Sequence, residues 1–140
     1  MNKETSNFKR LIGTWKTEGV VLAGNEKSAL IGTDSYEFIL DGNYILHKAD
    51  VTMGNQKSQT FEIISFDNTP EKANMQYYNS KGESGVMTAC MSADIFSING
   101  DKIKFEGRID DANTKVVGKW FVQGEGGQWT DFIDLTLTRQ

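Results

Sequence analysis

The stretch Phe8–Leu22, FKRLIGTWKTEGVVL, decides the fold. It joins a short amphipathic piece to a Gly-X-Trp, Gly13-Thr14-Trp15, and then to a run with strand character. A lone tryptophan near an N-terminus is ordinarily core. This one has a candidate partner at the other end of the chain, Arg139 in DFIDLTLTRQ. If the two ends meet, the chain closes on itself. Ser6 stands where an N-cap belongs, so SNFKRLIG is expected to form one or two helical turns before the first strand.

Outward from that stretch, turn residues recur at near-regular spacing. They are DGN at Asp41, GNQK at Gly54, DNTPEK at Asp67, NSKGE at Asn79, NGD at Asn99, DDANT at Asp110 and EGGQ at Glu125. Asn-Gly, Asp-Gly and Gly-Gly supply the positive φ that tight hairpins require. The runs between them are rich in Val, Ile, Phe, Tyr, Trp and Thr, and several alternate. In KIKFEGRID, Ile103, Phe105, Gly107 and Ile109 share one face and the charged residues share the other. Val116, Gly118, Trp120 and Val122 share a face, as do Ile45, His47, Ala49, Val51 and Met53. In the last run, strict alternation puts Trp129, Asp131, Ile133, Leu135, Leu137 and Arg139 together. About ten strands joined by short loops predict an up-and-down antiparallel β-barrel, because closure removes the exposed edges of a long twisted sheet. The whole of 1–140 reads as one domain. Closure makes the first and last strands antiparallel neighbours, which would lay the Arg139 guanidinium across the Trp15 indole.

These residues give the chain a resemblance to the lipocalins and the wider calycin group. Gly13, Thr14 and Trp15 after a short helical turn, with Arg139 ending the last strand, match that pattern. More closely, the chain resembles small bacterial lipocalin-like domains of unknown function. The shared features are LIGTWKTEG, the FILDGNYIL hairpin, ISFDNTPEK and the TLTR ending. The resemblance implies a cup with one open end and a floor closed by Gly13, Trp15 and Arg139. Fatty-acid-binding proteins also carry GTW and a late Arg, but AGNEKSALIGT is too short for their two helices between the first strands. Haem barrels related to nitrobindin use a late histidine, and no histidine follows His47.

Composition narrows the function. The formal net charge is −4 with scattered basic residues, which disfavours nucleic acid as a partner. No run reaches the roughly 20 apolar residues of a membrane span, and no P-loop or dinucleotide fingerprint is present. The polar start MNKETSNFKR lacks the apolar core of a secretory signal, and the single cysteine, Cys90, allows no internal disulfide. A cytoplasmic location is the expectation. Met87, Ala89 and Met91 form the more apolar set around Cys90, which puts the thiol outside or on a covered face, and no residue offers itself as a base to activate it.

The expected function is binding of a small hydrophobic or amphipathic molecule inside the barrel. Tyr36, Phe38, Met53, Tyr77, Met87 and Trp120 are the candidate lining, with methionine suited to varied apolar shapes. His47 and Asp131 are the candidate polar anchors. No cofactor is expected, nor a metal, since one histidine cannot build a zinc site. An enzyme using His47 and Asp131 as an acid–base pair is the less favoured alternative. A non-catalytic interaction module is another. Outward apolar residues, read as Tyr44, Leu46, Ile64, Phe66, Val117 and Phe121, would serve a homodimer if they cluster.

Overall fold

The computed structural model describes residues 6–140. After a 3₁₀ turn over Asn7–Leu11 come ten strands: β1 Gly13–Ala23, β2 Glu26–Ile39, β3 Tyr44–Met53, β4 Gln56–Phe66, β5 Lys72–Asn79, β6 Ser84–Ser92, β7 Ile95–Asn99, β8 Ile103–Ile109, β9 Lys115–Gln123 and β10 Trp129–Arg139. Each pairs antiparallel with its sequence neighbours, and β1 pairs with β10, so the sheet closes with no free edge. The expected fold class and strand number both stand. So does the N-cap: the Ser6 hydroxyl accepts a hydrogen bond from the Phe8 amide at 3.2 Å.

Closure is fixed where the sequence placed it. Trp15 and Arg139 are direct register partners. The Arg139 guanidinium lies 4.2 Å from the Trp15 ring centroid. Its nitrogens donate to the carbonyls of Asn113 at 2.6 Å, Ile12 at 2.5 Å and Arg10 at 2.6 Å. The Trp15 indole N–H donates to the Leu11 carbonyl at 2.8 Å. Gly13 has φ +132°, and a Cβ there would collide with the Arg139 guanidinium. Glycine is therefore required for two reasons at one position.

The 3₁₀ turn plugs the floor. Phe8 and Leu11 are fully buried. The Asn7 side chain donates to the Met91 carbonyl at 2.7 Å, and its amide donates to the Pro70 carbonyl at 2.8 Å. From the plug a run of rings, Phe8–Phe96–Phe105–Trp120, climbs the wall with centroids 6.1, 5.5 and 5.3 Å apart, the first two contacts edge-on and the last tilted. Gly107 and Gly118 are cross-strand partners. A Cβ on either would meet the Phe105 ring within 2.8 Å, so the pair forms the slot that ring occupies.

Two phase assignments require correction. In β4 the sequence QTFEIISF is apolar on both faces, and Ile64 and Phe66 were expected to face outward. Instead Ile64 is fully buried and Phe66 packs against the core, while Phe61 is exposed. In β10 strict alternation fails. Asp131 is paired with Phe121 but Ile133 with Trp120, so Phe132 is the extra residue of a β-bulge. The bulge flips everything before it, and Asp131 faces outward, bonded to the Lys119 ammonium at 2.8 Å. Val117 points outward as expected, and Cys90 is half-buried.

Candidate functional site

The turns β1–β2, β3–β4, β5–β6, β7–β8 and β9–β10 lie at the end away from Trp15. Between them and the plug the barrel holds a cavity of about 450 Å³, within the size range of small-molecule sites. Most of its wall is apolar: Leu30, Val51, Met53, Met87, Ile98, Phe105, Trp120 and Leu135 among others. Six of the eight side chains expected to line it do so: Tyr36, His47, Met53, Tyr77, Met87 and Trp120. Phe38 and Asp131 do not. Phe38 is in the inward phase but packs into the filled core near the floor. Asp131 is turned out by the bulge, so the His47/Asp131 pair does not form.

The partners of His47 are two residues that the sequence reading missed. Tyr36, His47, Glu62 and Tyr77 are successive register partners on β2, β3, β4 and β5, so their side chains form one inward row. Tyr77 lies over Gly85, the next partner in that row, where a side chain would collide with the phenol. The His47 Nδ1 is 2.9 Å from Glu62 Oε1. Its Nε2 is 3.6 Å from Asp34 Oδ2, an ion pair but too long for a hydrogen bond. Tyr36 stacks flat on the imidazole, with centroids 4.1 Å apart and planes within 5°. Asp34 and Glu62 are both buried.

Asp34 was legible in principle, because it shares phase with Tyr36 and Phe38 in TDSYEFIL. Glu62 was not, because the face carrying Phe61 and Ile63 looks more apolar than its own. Burial alone would push the His47 pKa down. The hydrogen bond with Glu62 and the close negative charges of Asp34 and Glu62 outweigh it and raise the value from 6.5 to about 10. His47 is therefore an imidazolium at neutral pH. Burial, with Asp34 and Glu62 nearby, holds the Tyr36 phenol well above its ordinary value, so it stays neutral. Three buried polar atoms at this place have no hydrogen-bond partner: His47 Nε2, Asp34 Oδ1 and Thr17 Oγ1.

Among the described residues no group of His, Cys, Asp and Glu is arranged to hold a metal ion. No described helix is long and apolar enough to cross a membrane.

A closed ten-stranded antiparallel barrel with a plugged floor is a lipocalin-like fold. Residues 2–139 match the family described as "Protein of unknown function (DUF1579)", and the chain belongs to that family. No curated protein matches it. Among solved structures it is similar to Rv2717c from M. tuberculosis, with TM-score 0.74 and 11% identity, over 95% of this chain and 94% of that one. It is also similar to the S-type phycobiliprotein lyase CPES from Guillardia theta, with TM-score 0.66 and 13% identity, over 100% of this chain and 93% of that one. At such identities the likeness is one of fold.

Proposed function

We propose that the barrel binds a small hydrophobic or amphipathic molecule in its interior. The observation that carries this reading is the cavity of about 450 Å³, apolar over most of its wall, with a few convergent polar groups at one place. Apolar burial at about 25 cal/mol per Å² supplies the driving force, reduced by the entropy of association. The polar row around His47 orients the bound molecule.

Acid–base catalysis is disfavoured. A histidine with a pKa of about 10 is protonated throughout the neutral range and makes a poor general base there. An interaction module with a filled core would leave the cavity without a role. Titration calorimetry with 1-decanol tests the proposal. The wild type is expected to bind one molecule, and Val51→Trp, which puts an indole into the cavity, is expected to lose at least about tenfold in affinity. No binding by the wild type of 1-decanol or of its ammonium and carboxylate counterparts, or equal binding by the variant, would overturn it.

A further inference from the structure

The charge balance of the cavity goes beyond its apolar character. Its wall carries three carboxylates, Asp34, Glu62 and Glu83, against one histidine and no lysine or arginine. Asp34 and Glu62 are 7% and 5% exposed. One imidazolium between two buried carboxylates leaves one negative charge over, and a buried charge without a partner is costly. The geometry shows where the excess sits. Glu62 is engaged by His47 Nδ1 at 2.9 Å. Asp34 only faces Nε2 at 3.6 Å through Oδ2. Its other oxygen, Oδ1, is buried with no hydrogen-bond partner, and so is the hydroxyl of Thr17 on the adjacent β1, itself 1% exposed. Both residues line the cavity.

Resting on the reading that this cavity holds a ligand, we propose that the ligand carries a cationic N–H donor head group, an ammonium or amidinium. Its N–H groups donate to Asp34 Oδ1 and Thr17 Oγ1, and its apolar part lies against the Met53, Met87 and Trp120 wall. Two cations then alternate with the two buried carboxylates, Asp34 and Glu62, while Glu83 stays exposed to solvent. The same arrangement rejects fatty-acid anions. A carboxylate head would meet Asp34 with no lysine or arginine in the wall to receive it, and like charges at close range are strongly unfavourable in a dry site.

Three probes of one chain length separate the head group from the tail: decylammonium, 1-decanol and decanoate. Each is titrated into the wild type by calorimetry at pH 7.4, below its micelle threshold. The expected order is decylammonium tighter than decanol by about tenfold, the scale of one charge-assisted hydrogen bond, with decanoate weakest. Asp34→Asn is expected to bring decylammonium within about twofold of decanol while decanol binding persists. That persistence shows that the variant is folded. Decanol binding with decylammonium no tighter than decanol or decanoate overturns this inference and leaves the carrier reading standing. Failure of all three probes to bind the wild type overturns both. Retention of the ammonium preference in Asp34→Asn also overturns the assignment of the head-group site.

Discussion

Arg139→Met removes the group that fastens the barrel's two ends while keeping an unbranched apolar side chain. Three donors to the carbonyls of Arg10, Ile12 and Asn113 are lost, together with the contact over Trp15. A hydrogen bond from a charged group contributes roughly 1.5 to 3 kcal/mol, and a guanidinium over an indole roughly 0.5 to 2. The terms are not additive, because one part-buried side chain makes all of them and water reaches some of the freed carbonyls. A net loss of about 3 to 4 kcal/mol follows. For a chain of this size that corresponds to a fall in Tm of about 10 °C. Urea unfolding followed by tryptophan fluorescence measures it directly. Arg139→Lys keeps the charge but lacks the planar fork, so it should recover less than half of the loss. A loss below about 1 kcal/mol for Arg139→Met, or full recovery by lysine, would refute the claim that this fork holds the floor shut.

The buried imidazolium makes stability depend on pH. The folded pKa of His47, about 10, lies above its unfolded value of 6.5. Its contribution is therefore fully present below about pH 6.5 and is lost as the pH rises towards 10, with a ceiling on the order of 5 kcal/mol. Thermal melts from pH 6 to 10 should show Tm falling across that window, and His47→Gln should flatten the fall. Gly118→Val drives a side chain into the Phe105 ring and the Glu106 carbonyl. It should cost about 1 to 3 kcal/mol by overpacking, read as a lower urea midpoint at unchanged m-value.

The closure was legible because it rests on local chemistry at both ends of the chain. Gly13 turns under the floor at positive φ, and Arg139 stands at the register that faces the Trp15 indole. The interior was most legible in β8, where the face opposite Ile103, Phe105 and Ile109 is wholly charged, and it was legible in β3 and β9, where charged residues mark the outer face despite some apolar ones there. Two errors share a physical cause, since alternation reports burial only when the strand is regular and one face is wet. Phe132 adds a residue to β10 and turns Asp131 outward. In β4 both faces are apolar, so the face carrying Glu62 looked like the outer one. The site was therefore half visible. His47 was found from its phase, but its carboxylate partners were sought on the wrong strand, because pairing across β2, β3 and β4 is a property of register that a single strand does not carry.

The central claim is that the upper barrel is open to a ligand and the lower barrel is filled. Methyl NMR of the methionines tests it most directly. Met53 and Met87 line the cavity, while Met75 and Met91 are fully buried in the core. On titration with 1-decanol, the account predicts that the Met53 and Met87 methyl resonances shift together and saturate, while those of Met75 and Met91 stay in place. Resonances that all stay still, or that shift most at Met75 and Met91, would contradict it.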